Sequence, residues 1–315
     1  MTQAPGFGCS SRRRRALLLP ASGAEAAGFR RMRGKAPARA RQARRTFSYT
    51  FAAGTALLSS SMSNSVPPVS LRVLTMNAHK GFAFLSRRFV LHELREAVRA
   101  VGADIVFLQE VHGAHLVHLK KVGRWPATSQ YEFLADEIWP AFAYGRNAVY
   151  PSGDHGNALL SKFPIVAHAN RDVTVAGHEV RGLLHCTLEV PDRETPLHAI
   201  CVHFGLKETH RRRQLELLAE VIRDHVPEGA PLLVAGDFND WRRRAHRVLQ
   251  HGAGLHEVFV RAHGRAAKTF PARLPIFQLD RIYVRNTRTD TPLKLPRHPW
   301  SRLSDHAPLA ADISL

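Results

Sequence analysis

Cysteine is scarce in this sequence, and its scarcity excludes two classes of protein. Only three cysteines occur among 315 residues, Cys9, Cys186 and Cys201, and they are far apart. A disulfide framework needs an even and dense set, and a cysteine-based zinc site needs closely spaced pairs. Long hydrophobic runs are also missing, since stretches such as 51–58 fall well short of the roughly 18 apolar residues of a membrane helix. We therefore expect neither a disulfide scaffold, a zinc ribbon nor a transmembrane segment.

Acidic residues are outnumbered by basic ones, and the imbalance is concentrated at the N-terminus. The chain has 45 Lys and Arg against 26 Asp and Glu, a formal net charge of +19. Residues 1–65 hold twelve of the basic residues and one acid, Glu25, which leaves 33 basic and 25 acidic residues for 66–315. That remainder is only moderately basic. Such an excess suits an anionic substrate such as a phosphodiester without requiring one.

Segment 1–65 has the composition of a chain that does not fold by itself. It combines arginine clusters, Ala/Gly/Arg mixtures and a serine cluster at 59–65, with few β-branched residues and no helical or strand periodicity. We expect this Arg-rich segment to be disordered and dispensable for folding and catalysis.

Four interpretations of segment 1–65 stay open. An Arg-rich arm can bind nucleic acid, and an Arg- and Ser-rich segment poor in acids is typical of a transit peptide. Arg44-Arg45-Thr46-Phe47, before a mildly apolar stretch, resembles a twin-arginine export signal. In the interpretation we favour, translation starts at Met62 and the preceding residues are not made in the cell.

From residue 66 onward, short apolar runs alternate with amphipathic segments, and this predicts a single α/β domain over 66–315. Helices are predicted around 89–101 with a stop at Gly102, from a capping box at 129–132 through Trp139, and around 215–222. Strands are predicted at 71–76, 104–108, 156–160, 183–190, 197–202, 232–235, 281–284 and 307–313. Strands that are apolar on both faces, mixed with surface helices, indicate two packed sheets with helices outside.

Acids and amides follow the predicted strands at the points where the strands end. Asp237 and Asn239 share one face of an extended chain, while Phe238 anchors the other face. A carboxylate at the end of a buried strand is costly unless it is paired. Glu110, Asp237 and Asp305 in one pocket would repel each other, and a hard divalent cation would relieve that repulsion. The predicted ligands are oxygens without a thiolate, and these favour Mg²⁺ or Mn²⁺ over structural zinc.

Seven motifs follow one another along the chain: Asn77, Gln109-Glu110, Gly156–Ser161, His203, Gly236–Asn239, Leu279–Ile282 and Ser304-Asp305-His306. In this order they resemble the motifs of the endonuclease/exonuclease/phosphatase superfamily, the fold of pancreatic deoxyribonuclease. The resemblance covers residues 71–315. It implies a four-layered α/β sandwich, with two packed mixed β-sheets flanked by helices and the site at one mouth of the sheets. It also implies a Mg²⁺- or Mn²⁺-dependent phosphoric-ester hydrolase that cleaves a phosphodiester with metal-activated water.

The resemblance also implies how the metal and the attacking water are held. Glu110 resembles the family's metal-binding glutamate, Asn77 beside it touches metal or phosphate, and Asp305 resembles a further acid at the metal. Asp237 resembles the residue that positions or deprotonates the attacking water. Asn239 resembles the one that holds the phosphate or a second metal position.

Two histidines complete the implied catalytic set. His306 resembles the imidazole that stabilises charge on the phosphorane or acts as general base, and Asp280 resembles the carboxylate that orients it. His203 resembles a second catalytic histidine, and the division of acid and base between the two stays open. Three residues near predicted strands are expected to contact phosphate: His155, Asn157 and Arg181.

The substrate is the least determined part of these expectations. We rank nucleic acid first, a lipid or inositol-type phosphodiester second and a small soluble phosphate ester last, with a catalytically silent anion- or nucleic-acid-binding relative as the alternative of another class. The apolar stretches 81–85 and 274–277 flank the predicted site, and each is either a lipid-facing loop or buried packing. The arginine runs 211–213 and 242–244 either line a phosphate-binding mouth or form solvated helix faces. We expect a cytoplasmic monomer.

Overall fold

The computed structural model describes residues 68–83, 88–175, 179–242 and 244–315. The segment predicted to be disordered, 1–65, lies outside these ranges, as do residues 84 and 85 of the first apolar stretch. None of the helices in the described ranges is long and apolar enough to cross a membrane.

Within the described residues, twelve strands form two mixed sheets of six strands each. The strands are β1 (Ser70–Asn77), β2 (Ile105–His115), β3 (Ala141–Tyr150), β4 (Gly153–Ser161), β5 (Ile165–Asp172), β6 (Gly182–Leu188), β7 (Leu197–His203), β8 (Leu232–Asp237), β9 (His256–Glu257), β10 (Asp280–Arg285), β11 (Thr289–Leu293) and β12 (Leu309–Ser314). The first sheet has the order β11-β12-β1-β2-β4-β3 and the second β5-β6-β7-β8-β10-β9. The pairs β1–β2 and β7–β8 are parallel, and the other pairs are antiparallel.

Helices cover the outer faces of both sheets. They are α1 (Leu91–Val101), α2 (Leu116–Lys121), α3 (Gln130–Ala135), α4 (Glu208–His225), α5 (Arg244–Ala253) and α6 (Val258–His263). Helix α1 ends at Gly102 in the left-handed conformation, the predicted stop. The predicted capping box is also present, with Ser129 and Glu132 bonded reciprocally, but α3 ends at Ala135 rather than at Trp139 because Asp136 leaves the helical conformation.

Alternate residues of the strands face opposite sides of each sheet, and this alternation builds three apolar layers. Ile105 and Phe107 of β2 point into the layer between the sheets, whereas Val106 points to the outer face that α1 covers. In the second sheet, Leu233 of β8 faces the inner layer and Val234 faces the outer layer under α4. The predicted four-layered α/β sandwich is confirmed.

All eight predicted strands are present in the described chain, with ends shifted by a few residues. The strands that the sequence did not predict are β3, β5, β9 and β11, and these are the outermost strands of the two sheets. Edge strands have neighbours on one side only, so their residues need not alternate between apolar and polar. In β5, for example, every residue after Ile165 is exposed.

Two phenylalanines of the first sheet provide a test of this layering. Phe107 is fully buried between the sheets, whereas Phe142 on edge strand β3 is 42% exposed. We expect Phe107→Ala to lower the free energy of unfolding by about 3–5 kcal/mol, because a large cavity is left in the core. Phe142→Ala should cost less than about 1 kcal/mol. Urea unfolding of both variants measures the difference, and equal losses would contradict the assigned core.

Candidate active site

The parallel strand pairs bring polar residues to one edge of the sandwich. In the first sheet, Asn77 at the end of β1 is in register with Gln109 of β2. In the second sheet, Asp237 at the end of β8 is in register with both His203 of β7 and Asp280 of β10. Parallel strands end at the same edge, so residues that are distant in sequence become neighbours here.

A glycine lets strands β7 and β8 approach closely at this edge. Gly236 has φ +145°, and a Cβ at this position would lie 2.0 Å from the carbonyl oxygen of Val202. Only glycine fits this conformation and this spacing without a shift of the backbone. The close pairing positions Asp237 beside His203.

The carboxylate of Asp237 is the buried centre of the site. Its Oδ1 accepts a hydrogen bond from the backbone N–H of Asn239 at 2.8 Å. Its Oδ2 lies 3.5 Å from Nδ2 of Asn77, 3.6 Å from Nε2 of His203 and 3.8 Å from Nε2 of His306. Burial raises the pKa of Asp237, while the nearby imidazoles and the Asn239 N–H oppose that rise. The group is therefore a stronger proton acceptor than an exposed carboxylate.

His306 and Asp280 form a buried pair beside Asp237. Nδ1 of His306 donates to Oδ2 of Asp280 at 2.9 Å. Burial alone would lower the pKa of His306, but the charges of Asp280 and Asp237 and the hydrogen bond to Asp280 raise it to about 10. His306 is therefore an imidazolium at neutral pH, with Asp280 fixing its orientation and Nε2 directed toward Asp237.

Glu110 reaches the site through an irregularity in β2. The pairing of β2 with β4 changes register between Leu108 and Val111, and Glu110 adopts a left-handed φ of +53°. Such a conformation is costly for a residue other than glycine and is often found at functional sites. It places Oε1 of Glu110 3.2 Å from Nδ2 of Asn77 and Oε2 3.2 Å from Nζ of Lys80.

The charges around Glu110 set its ionisation. Burial would raise the pKa of Glu110, but His203, Lys80 and the hydrogen bond from Asn77 hold it well below its usual range. Burial and the charge of Arg181 lower the pKa of His203 to about 4, so His203 is neutral at pH 7. The cation that neutralises Glu110 at neutral pH is thus Lys80.

The donors of this site fit a hard divalent cation. Glu110 and Asp237 offer carboxylate oxygens on either side of Asn77, and the Lys80 ammonium shows that the position beside Glu110 accepts a positive charge. Asn77 turns Nδ2 toward both carboxylates, while its Oδ1 accepts from the N–H of His79 at 3.0 Å. In this conformation Asn77 orients the carboxylates. The carboxylate of Asp305 lies 3.9 Å from Nε2 of His79.

The three residues predicted to contact phosphate lie near the site, and two of them, Asn157 and Arg181, already have structural partners. Nδ2 of Asn157 donates to the carbonyl oxygen of Gly182 at 3.0 Å, which links the two sheets. The Arg181 guanidinium donates to the carbonyl oxygen of Phe204 at 3.3 Å and pairs with Glu179. Burial lowers the pKa of His155, with Lys80 adding to the shift. Nδ2 of Asn239 also donates to Phe204, at 2.9 Å.

Two basic residues at the site were not predicted. His79 and Lys80 form a short 3-10 turn with Gly81 directly after the end of β1, and they face Asp305 and Glu110. Their position immediately after the strand-end Asn77 was the available signal in the sequence. Neither residue belongs to a motif on which the family resemblance rests, so those motifs did not predict either residue.

A cationic cleft near the site was also missed. Its volume is about 500 Å³, and it is lined by Ala83, Arg88, Arg273, Arg297, His298, Ser301 and Arg302. These arginines come from distant parts of the sequence, so no run of basic residues predicts the cleft. The run 211–213 instead begins with Arg211, which is buried in α4 and pairs with Glu208 at 2.6 Å. We call the pocket the arginine cleft.

The second apolar stretch is exposed rather than packed. Leu274, Ile276 and Phe277 are 70%, 53% and 43% exposed, so the buried-packing interpretation of 274–277 is wrong. The stretch follows Phe270, whose ring centre lies 4.9 Å from that of His306. An exposed apolar turn therefore lies close to the imidazole of His306.

The pair formed by His306 and Asp280 predicts a distinct titration. In metal-free protein, nitrogen chemical shifts should show His306 as an imidazolium between pH 6 and 8. Its contribution to stability is complete below about pH 6.5, the unfolded value, and is lost as pH rises to about 10. Asp280→Asn should lower the pKa of His306 by more than about one unit, since it removes the hydrogen-bonded negative charge.

The control for this titration is a carboxylate that pairs elsewhere. Asp312→Asn removes the partner of Arg72 on β12 and should leave the His306 signals unchanged. Wild-type His306 titrating between pH 6 and 7 would contradict the assigned pair.

Comparisons with known proteins agree with this fold. A model of the Endonuclease/Exonuclease/phosphatase family matches residues 74–306. The uncharacterized protein YbhP of Escherichia coli strain K12 is 56% identical over 254 residues, which are 81% of this chain and 100% of YbhP. An endonuclease/exonuclease/phosphatase structure from Beutenbergia cavernae has a TM-score of 0.63 at 20% identity, covering 78% of this chain and 72% of its own. TDP2 of D. rerio, crystallised with a single-strand DNA product, has a TM-score of 0.54 at 18% identity, covering 78% of this chain and 98% of its own.

Proposed function

Because the chain belongs to the endonuclease/exonuclease/phosphatase family, we propose that its site hydrolyses phosphodiesters, with nucleic acid as the substrate. The observation that carries this proposal is the buried alignment of Asp280, His306 and Asp237, with Glu110 and Asn77 beside them. It provides a proton acceptor, an oriented cation and a separate anionic pocket at one edge of the sandwich.

The roles of the chain's own residues follow from their ionisation. Asp237 holds the attacking water and accepts its proton as the water oxygen attacks phosphorus and the ester bond breaks. His306 is held by Asp280 and donates its Nε2 proton to the oxygen on which negative charge develops. His203 is neutral at pH 7 and is suited to accept or relay a hydrogen bond rather than to add charge.

A divalent cation is part of this proposal. Glu110 would hold Mg²⁺ or Mn²⁺, with Asn77 orienting its carboxylate and Asp305 as the further acid at the metal. When bound, the ion neutralises charge on the phosphate and makes it accessible to a nucleophile. Lys80 then has a second partner available, because the phosphate itself is anionic.

Activity measurements test the proposed hydrolysis. The full chain should hydrolyse bis-p-nitrophenyl phosphate with Mg²⁺ or Mn²⁺, and EDTA should abolish the reaction. Glu110→Gln, Asp237→Asn and His306→Ala should each lower kcat by roughly 10²- to 10⁴-fold without unfolding the protein, because each removes a charge at the reacting centre. Asp312→Asn serves as the matched control and should keep full activity. Full activity in all three site variants would overturn the site assignment.

Nucleic acid is favoured by the arginine cleft. Arg273 follows Ala272, whose backbone N–H donates to the carbonyl oxygen of Asp305 at 2.7 Å, so the cleft begins next to the site. Several arginines in a cleft of this size suit consecutive phosphates of a polynucleotide. The similar TDP2 of D. rerio forms a complex with a single-strand DNA product, which is a ligand of the same kind.

A second candidate, a phospholipid, is favoured by a different observation. The exposed residues Leu274, Ile276 and Phe277 stand beside the site and form an apolar surface of the kind that enters a membrane interface. The turn is short, and its apolar area lies next to arginines of the cleft. We therefore rank lipid below nucleic acid.

A substrate panel distinguishes these two candidates. With Mg²⁺, the protein should cleave plasmid and single-stranded DNA and leave phospholipid vesicles intact. Arg297→Glu should raise KM for DNA by roughly tenfold and reduce its salt dependence, since each phosphate contact contributes about one unit to the slope of log affinity against log salt. It should not change hydrolysis of bis-p-nitrophenyl phosphate.

The matched control carries the same charge reversal elsewhere. Arg213→Glu changes an exposed arginine of α4 that pairs with Glu216, and it should keep the wild-type KM for DNA. Turnover of vesicle lipid without cleavage of DNA, and its loss in Phe277→Asp, would instead establish the lipid candidate.

A further inference from the structure

Three histidines meet where strand β2 passes into helix α2. His112 and His115 lie at the end of the strand and His118 lies in the first turn of the helix, at a spacing of three residues. One ring nitrogen of each lies within 4.8 Å of the corresponding nitrogens of the other two. We call these residues the histidine triad. None of them belongs to the catalytic set or to the motifs that the family resemblance uses.

The hydrogen bonding of His112 leaves one ring nitrogen without a partner among the described residues. Its Nδ1 lies 3.1 Å from the carbonyl oxygen of Asp154, which can only accept, so the proton of the ring is on Nδ1. The lone pair of Nε2 is therefore free, and this atom is buried without a hydrogen-bond partner among the described residues. A metal-binding histidine has this arrangement, because a carbonyl on one nitrogen orients the other toward the ion. Without a bound ion, a buried nitrogen that lacks a hydrogen-bond partner costs free energy that nothing offsets.

His115 and His118 supply the other two nitrogens, and one of these two stacked rings must rotate before both lone pairs point at one ion. The rings of His115 and His118 are parallel, with centres 3.5 Å apart, and that of His112 is nearly perpendicular to both. Nδ1 of His118 is also buried and has no hydrogen-bond partner in the described part of the chain. Burial lowers the pKa of both His115 and His118, which favours their neutral forms.

His115 has one competing role. Its Nδ1 accepts a hydrogen bond from the backbone N–H of His118 at 3.0 Å and thereby caps α2. A metal bound through Nδ1 would replace this bond, and a metal bound through Nε2 would move the ring proton onto Nδ1 and break it. Coordination through either nitrogen therefore costs one cap at the start of a six-residue helix. Water can replace that partner, since α2 has no buried residue.

Packing alone does not explain the triad. Trp125 lies 4.8 Å from His118 and 5.6 Å from His112, and Tyr150 places its hydroxyl 3.1 Å from Nδ1 of His112. These neighbours cover the rings but supply no donor to the bare nitrogens of His112 and His118. Apolar side chains would fill the same space without that cost.

We propose that His112, His115 and His118 bind one transition-metal ion, of the class of Zn²⁺, Co²⁺ or Ni²⁺, at a site separate from the catalytic carboxylates. Three neutral imidazoles without a carboxylate select borderline metals over Mg²⁺, which prefers oxygen ligands. The three side chains leave a fourth coordination position for water or a ligand. This site is independent of the proposed phosphodiesterase activity.

Cobalt titration of the full chain without a polyhistidine tag tests the site. The first 67 residues contain no histidine, so segment 1–65 adds no imidazole that could bind the metal. Co²⁺ bound by three imidazoles should produce visible d–d absorption of the intense, tetrahedral kind, and Ni²⁺ should quench the fluorescence of the adjacent Trp125. Zn²⁺ at one equivalent per chain should displace both signals, whereas excess Mg²⁺ should not.

Single-residue variants assign these signals to the triad. His112→Ala and His118→Ala should each weaken Co²⁺ binding by at least about tenfold, and Trp125→Phe should remove the quenching while keeping the absorption. Circular dichroism confirms that each variant is folded. A His112→Gln variant, which fills the same space and keeps a donor toward Asp154, should show the same loss.

Two controls separate the triad from other metal-binding groups. His185→Ala changes another close pair, in which Nε2 of His185 lies 2.9 Å from Nδ1 of His198, and it should leave Co²⁺ binding intact. Asp237→Asn abolishes the proposed catalytic site and should also keep the intense absorption. If the triad variants retain wild-type affinity, or if Asp237→Asn removes the absorption, the proposal is overturned.

Discussion

The carboxylate of Asp237 is buried where the two sheets meet, and groups from both sheets surround it together with the backbone N–H of Asn239. Asn77 comes from the first sheet and His203 from the second, while His306 precedes the last strand of the first. An unpaired charge at such a position costs several kcal/mol. Correct pairing of both sheets is therefore needed to surround this group with its full set of partners.

The same centre gives two histidines different charge states. His306 is bonded to Asp280 and becomes a cation, whereas His203 is buried near the charge of Arg181 and stays neutral. Two identical side chains thus have different chemical capacities because their surroundings differ. This separation of pKa values is how one site provides both a charge-stabilising group and a neutral hydrogen-bonding group.

Strand β2 contributes side chains to two chemically different clusters. The change of register after Leu108 turns Glu110 into the carboxylate site, and two residues later His112 joins the histidine triad. Without the irregularity, strict alternation would place Glu110 and His112 on the same face of the sheet. The strained residue Glu110 therefore separates an oxygen-rich site from a nitrogen-rich one.

The sequence by itself determined the strands of both sheet interiors, the capped helix α3 and the carboxylates, amides and imidazoles of the candidate site. These follow from local rules: apolar alternation, turn and capping residues, and polar residues that end a buried strand. The tertiary structure alone decided the edge strands β3, β5, β9 and β11, whose pairing depends on a neighbour rather than on their own pattern. It also decided which side chains share a space, because the arginine cleft and the contact of Lys80 with Glu110 join residues through the fold. The tertiary structure also decided the ionisation of the site residues. The pKa of His306 depends on Asp280, which is 26 residues away in sequence and 2.9 Å away in the folded protein.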